Sequence, residues 1–230
     1  MGQVLVVAAH PDDEVLGCGG TIRRHTKHGD QVKILFMGSG VAARGQISSE
    51  QIEARKEMAL RAAALLGADE PVFCDFPDNR MDSVPLLTVV SEIESVMSGY
   101  RPDTVYTHSA GDLNIDHRVT HQAVMTACRP MPECSVMSVL CFEVVSSTDW
   151  AFNSQPQPFR PVHFVEITET LETKVAALEA YGLEMRDFPH PRSEDNVRAL
   201  ALNRGATVGF EKAEGFEISY TRIGTGRLFE

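Results

Sequence analysis

The sequence predicts an α/β fold, a mostly parallel sheet flanked by helices, in a single domain over residues 1–230. An apolar, Val-rich run near the start, Val4-Leu5-Val6-Val7-Ala8-Ala9, reads as a buried parallel strand. Further apolar strand-like runs alternate with helical stretches along much of the chain. Two polar clusters, at 10–14 and 108–118, each follow a strand and precede a helix, where open α/β sheets place their ligands.

Composition sets limits on function. The chain has 230 residues, 43% hydrophobic and 23% charged, which permits a substantial core. Its formal net charge of −11 argues against nucleic acid as the main partner, because phosphate binding needs a basic face. No apolar run approaches the roughly 20 residues of a membrane span. The five cysteines, Cys18, Cys74, Cys128, Cys134 and Cys141, form no Cys-x-x-Cys pair, which speaks against a structural zinc site of that type. Their odd number, and first residues that enter a strand without a basic leader, lead to the expectation of reduced thiols in a cytoplasmic protein.

The first strand ends on His10-Pro11-Asp12-Asp13-Glu14. Pro11 stiffens the turn and suits a helix start just after it. His10 and Asp13, three apart across the turn, can meet at one point, with Asp12 as a second carboxylate beside them. Like charges so close are costly without a cation, and a divalent metal is the simplest remedy. The residues alone leave open which aspartate is the ligand. The acids also suit the positive end of a helix, which is the bland alternative. The glycines Gly17, Gly19 and Gly20 lack dinucleotide-fingerprint spacing and read as close packing in a helix that continues over 21–28 to a stop at Gly29-Asp30.

A second strand is expected over 31–37, then a loop to about 46 in which Arg44 is a candidate rim residue. A long helix over 49–66 follows, with Ser48 and Gln51 as a capping box, Met58, Leu65, Leu66 and the alanines on the core face, and Gly67 as the stop. Arg55, early in that helix, has no acid three or four residues away and can lean toward the site edge. A third strand over 71–74 leads into an Asp- and Asn-rich loop, 75–82, that suits a polyhydroxylated ligand or plain turn chemistry. A helix over 86–97 ending at Gly99 and a fourth strand over 103–106 come next. The second cluster holds His108, Asn114, Asp116 and His117, with His121 on the following helix, and favours a ligand role for His117. His117 and His121, four apart, share a helix face and form a rival ligand pair.

Beyond it, 136–145 reads as a buried strand and 146–161, with the single Trp150, as a loop or flap. A strand over 164–167 and a helix over 168–181 follow, with Leu171, Val175 and Leu178 inward. The turn at 189–193 leads to a final helix over 193–208 broken by Gly209, and 216–222 alternates like an edge strand.

These residues resemble a known family. Ala9-His10-Pro11-Asp12-Asp13-Glu14, together with Asp112-Leu113-Asn114-Ile115-Asp116-His117-Arg118, is similar to the motifs of the PIG-L/LmbE-like zinc-dependent N-deacetylases. Asn203-Arg204-Gly205, Ala213-Glu214-Gly215-Phe216 and the position of Arg55 extend the likeness over nearly the whole chain. The resemblance implies a Rossmann-like fold that removes acetyl groups from N-acetylglucosamine-type sugars or sugar conjugates. It implies a Zn²⁺ site of His10, Asp13 and His117, with an open position for water, and Asp12 as general base. It assigns Arg55 and Asp78 to sugar hydroxyls, Asp116 to orienting a metal ligand, and makes a homo-oligomer plausible. His and carboxylate ligands also suit Fe, Mn or Co.

The chain departs from the family at Asn114, where many relatives carry a histidine. Asn114 can donate a neutral hydrogen bond to the oxyanion or substrate but cannot act as an acid, and the bland alternative is that it only shapes the turn. Asp12 is then expected to handle both proton transfers, unless His108 or His121 supplies the missing imidazole. Two other readings stand beside the deacetylase: a hydrolase of another amide or an ester at the same metal, and a sugar- or nucleotide-binding module without turnover. A base beside the metal argues against the last.

Overall fold

The computed structural model describes residues 1–41, 48–152, 154 and 158–224. Seven strands among them, β1 (Gln3–Ala8), β2 (Gln31–Gly38), β3 (Val72–Phe76), β4 (Thr104–His108), β5 (Ser138–Phe142), β6 (His163–Glu166) and β7 (Ala213–Thr221), form one sheet in the order β3-β2-β1-β4-β5-β7-β6. β1 to β5 pair in parallel, and β7 runs antiparallel to both β5 and β6. The expected α/β fold with a mostly parallel sheet is the one observed.

Pleating explains the layering. Val4, Val6 and Ala8 of β1 face one side and Leu5 and Val7 the other, and all are buried. The first face packs on α1 (Asp13–Lys27), α2 (Ser49–Leu66), α5 (Leu171–Ala180) and α6 (Glu194–Val208), and the second on α3 (Leu86–Tyr100) and α4 (Ile115–Ala127). The chain moves outward from β1 to β2 and β3, then returns to add β4 on the opposite side of β1. The carboxyl ends of β1 and β4 therefore flank the point where strand order reverses, the usual crevice for ligands in such sheets. That topology brings the clusters at 10–14 and 108–118 together.

Local signals place several elements as expected. The capping box of Ser48 and Gln51 is formed at the start of α2, and Gly67 closes it at φ 77°. Gly209 closes α6 at φ 81° behind the Ser193 cap. Leu171, Val175 and Leu178 are buried.

Other expectations are corrected. Leu65 is 45% exposed, because the inward stripe of α2 runs through Ala59, Ala62, Ala63 and Leu66, and a residue beside Leu66 is rotated about 100° away. Gly99 lies inside α3, which ends at Arg101 in the left-handed region. β3 and β4 each run two residues further than expected, to Phe76 and His108, and regular pairing in β5 covers 138–142. β7 lies between β5 and β6 in strand order, and β6 forms the edge: Ala213 to Phe216 pair with β6, and Phe216 to Thr221 run along β5, so Phe216 has a partner on each side. Its alternation reflects the stretch beyond Phe216, where β5 is the sole partner. Arg44 lies outside the described residues.

The glycines in α1 give its packing. A Cβ on Gly17 would fall 2.3 Å from the Phe142 ring, and one on Gly20 would fall 2.8 Å from Ile167. The helix breaks at Cys18 (φ −144°, ψ 24°), and Glu214 of β7 caps its second part. Its carboxylate accepts from the N–H of Gly20 (3.0 Å) and Thr21 (2.7 Å) and pairs with buried Lys174 at 2.6 Å. Gly17→Ala should destabilise the protein by about 1–3 kcal/mol through overpacking, read as a lowered Tm. Phe142 meets His108 edge-on at 4.8 Å, so the same variant should also disturb the site.

Candidate metal centre

The site is built where β1 and β4 end. His10 follows β1, and its backbone N–H donates to Asp13 Oδ2 (2.9 Å), which closes the turn into α1. His117 lies in the first turn of α4, whose N-cap is Asn114: its side chain accepts from the Asp116 N–H at 2.8 Å. Asp13 Oδ2 then sits 3.3 Å from His10 Nδ1 and 3.2 Å from His117 Nε2. All three side chains are buried.

Carboxylates hold the far side of each ring. His10 Nε2 meets Asp116 Oδ2 (2.9 Å) and Asp78 Oδ1 (3.0 Å). His117 Nδ1 meets Asp112 Oδ1 at 3.1 Å. Asp116 also accepts from the N–H of Met81 (2.9 Å) and of Asn79, so it ties the 75–82 loop to His10. Asp112 accepts from the hydroxyls of Ser147 and Thr148. Each ring nitrogen that faces outward is thereby fixed, leaving His10 Nδ1 and His117 Nε2 turned to Asp13.

The residues fit a divalent cation. Among the described residues, three groups have ligand atoms close enough for one ion: His10, Asp13 and His117; His108, Asp112 and His117; His10, Asp78 and Asp116. Asp112 and Asp116 are engaged by backbone or hydroxyl donors, whereas Asp13 Oδ1 is buried with no partner. A buried carboxylate that faces two histidines through one oxygen and leaves the other orphaned is costly unless a cation occupies the spot. Electrostatics agree. Burial alone would lower the pKa of His10 and His117, but the surrounding carboxylates reverse this, raising His10 well above the ordinary value and His117 to about 9. Burial would raise Asp13, yet His117 and His10 hold it well below its ordinary value. The pocket thus draws positive charge to the place where a metal would supply it.

Asp12 stands beside this centre in the left-handed region (φ 118°, ψ −29°), a conformation that costs a non-glycine residue on the order of 1–3 kcal/mol. Its Oδ2 accepts from Arg55 Nη2 (3.2 Å) and Arg192 Nη1 (2.8 Å). Burial raises its pKa, opposed by Arg192 and Arg55. Glu184 meets the same two arginines at 3.1 and 3.5 Å. His10 and Asp12 open onto a cavity of about 590 Å³ that also has Arg55, Asp78, Asn114 and Trp150 in its wall. The arrangement can hold a cation, present a carboxylate next to it and admit a sugar-sized ligand.

His10, Asp12, Asp13, Arg55, Asp78, Asn114, Asp116 and His117, all named from the sequence, lie together here. The ring that Asp116 meets is that of His10, at 2.9 Å from Nε2. Asp78 lies against the His10 ring as well as in the cavity wall. His121 belongs to none of the three ion-binding groups and turns Nδ1 to the His108 carbonyl (2.9 Å). His108 Nε2 accepts from the Ala9 N–H (2.8 Å), and its ring stacks on His117 at 3.9 Å. Burial keeps its pKa well below the ordinary value. Sequence reasoning missed Arg192 and Asp112. Asp112 stood inside the quoted motif, five residues from His117. Arg192 stood in a stiff Pro-His-Pro-Arg turn with nothing to tie it to Asp12, 180 residues earlier.

Residues 5–128, just over half of the chain, match the PIG-L family, described as GlcNAc-PI de-N-acetylase. The chain is 29% identical over 183 residues to the uncharacterized deacetylase YaiS of Escherichia coli, covering 77% of this chain and 89% of that one. It is 26% identical over 224 residues to the diacetylchitobiose deacetylase of Thermococcus kodakarensis, covering 93% and 81%. In structure it is similar to the 4-carboxy-2-hydroxymuconate hydratase GalB of Pseudomonas putida, with a TM-score of 0.78 at 23% identity over 99% of this chain and 100% of that one. That last likeness concerns the fold alone.

Proposed function

We infer, since this chain belongs to the PIG-L family, that it is a metal-dependent hydrolase that removes the acetyl group from an N-acetylglucosamine-type sugar or sugar conjugate. The observation that carries the reading is the buried, partly unsatisfied Asp13 carboxylate between His10 and His117, with a second carboxylate, Asp12, at the cavity wall beside it. A pure binding module has no need of that second acid. Deacetylase names on the curated relatives point the same way.

His10 Nδ1, Asp13 and His117 Nε2 would hold the metal, and two neutral imidazoles with one carboxylate favour Zn²⁺. Bound there, the cation would supply Lewis-acid chemistry, acidifying a water and stabilising the oxyanion of the attacked amide. Asp12 takes the proton of the attacking water and returns it to the leaving nitrogen. The two arginines both engage Oδ2, which orients the carboxylate and leaves Oδ1 for the proton. Asn114 spends its side-chain oxygen on the α4 cap, so its Nδ2 is the group it can offer to substrate or oxyanion. His108 is fixed as an acceptor for Ala9 and His121 is turned to a carbonyl, so Asp12 serves both proton transfers.

Arg55 and Asp78 are assigned to sugar hydroxyls from their place in the cavity wall, alongside their contacts to Asp12 and His10. Among the described residues no helix is long and apolar enough to cross a membrane. All five cysteines are free thiols, which supports a reducing compartment such as the cytoplasm.

A panel of N-acetyl sugars tests the reading. Zinc-loaded protein should release acetate and free amine in equal amounts from at least one N-acetylglucosamine glycoside, lose that activity on chelation and regain it with zinc. Turnover of an ester or another amide, with no acetate from any N-acetyl sugar, would favour the broader hydrolase instead.

A further inference from the structure

Glu14 is fully buried beside the site, and the chemistry above gives it no task. Its Oε2 accepts from the Asp12 N–H (2.9 Å), and its Oε1 lies 2.7 Å from the Tyr181 hydroxyl. Tyr181, also buried, sits where α5 ends, with its ring beneath the Arg55 guanidinium at 5.4 Å. Arg55 in turn donates to Asp12 Oδ2. The contacts close a loop that grips Asp12 at both ends: Glu14 on its backbone, Arg55 on its carboxylate, and Tyr181 touching both holders.

We propose that Glu14 and Tyr181 are positioning residues, Glu14 pinning the Asp12 N–H and Tyr181 anchoring Glu14, so that Asp12 is kept in its left-handed conformation with its carboxylate at the cavity. The proposal rests on Asp12 being the general base. The physical need is plain, because φ 118° at a residue with a side chain persists only where the surroundings over-determine it. The His10 N–H on Asp13 Oδ2 closes the turn, and the Asp12 carbonyl accepts from the N–H of Val15 and Leu16; the Asp12 N–H, donated to Glu14, adds a hold from a side chain that is itself tied to Tyr181. Tyr181 also begins the 182–192 stretch that gives Leu183, Glu184 and Arg192 to the cavity wall, so the same strut fixes the base relative to the wall that holds substrate.

The test is a set of variants assayed for kcat, KM and metal content. Glu14→Ala should lower kcat about tenfold or more, with one metal per chain and KM within about twofold of the parent. Tyr181→Phe, which keeps the ring and deletes the hydroxyl, should show the same pattern more weakly. The double variant should be no slower than Glu14→Ala alone, because Tyr181 acts through Glu14. Glu14→Gln keeps an acceptor for the Asp12 N–H and should recover kcat to within about threefold. Additive losses, a loss of metal, or unchanged kcat in Glu14→Ala would overturn the proposal. Should Glu14→Ala not fold, Tyr181→Phe against Glu14→Gln decides it: equal, unchanged kcat in Tyr181→Phe overturns it. Asp12→Asn separates the two levels. If that variant is slow while Glu14→Ala is normal, the strut fails and the base stands. If Asp12→Asn is itself fully active, the base assignment fails and the strut falls with it.

Discussion

Asp12→Asn should keep its metal and lose about a hundredfold to ten-thousandfold in kcat, the usual range for removing a general base. The carboxamide has nearly the same shape but cannot take a proton from water. Its oxygen can still accept from Arg55 and Arg192, and both arginines retain Glu184, so neither is left as an isolated buried charge. Melting temperature should therefore move little while kcat collapses and KM holds. Metal analysis belongs in the same experiment. A variant without metal would make Asp12 a ligand, and one with normal turnover would remove it from the chemistry.

That expectation began in the sequence, and it shows what a sequence can carry. His10, Asp12 and Asp13 lie within four residues, and their convergence is a property of one turn. The Ser48 cap, Gly67 and Gly209 are likewise local and were readable. The meeting of this turn with His117 depends on strand order, yet it could be expected because both clusters follow parallel strands and so share one edge of the sheet.

What could not be read depends on contacts without local cause. β7 alternates as an edge strand does, but its first residues pair with β6 and its later ones with β5, a handover at Phe216 that no stretch of residues announces. Leu65 and Leu66 are chemically identical neighbours, and only the helix phase separates the exposed one from the buried one. Arg192 and Tyr181 reach Asp12 and Glu14 from more than 160 residues away, through side chains whose types are ordinary at a turn and a helix end. The departure at Asn114 was visible, but its use as the α4 cap became clear only with the Asp116 N–H in place.

Asp13→Ala should be the most damaging single change. Of the four carboxylates around the two histidines, Asp13 alone has a buried oxygen with no partner, and its other oxygen is the one both imidazoles face. Asp116 and Asp78 still hold His10, and Asp112 still holds His117, so the rings should stay in place. The variant should fold, bind no stoichiometric metal and release no acetate above background. Added zinc should raise the Tm of the parent, by about 2.7 kcal/mol of stability at a hundred times Kd, and leave the variant's unchanged. Asp112→Asn should fall between them, weakening metal affinity about 10- to 100-fold while keeping the three ligands, as loss of an orienting partner does. If Asp13→Ala instead keeps one tightly bound metal per chain, the ion sits on one of the two outer groups, and the assignment of His10, Asp13 and His117 as its holders is wrong.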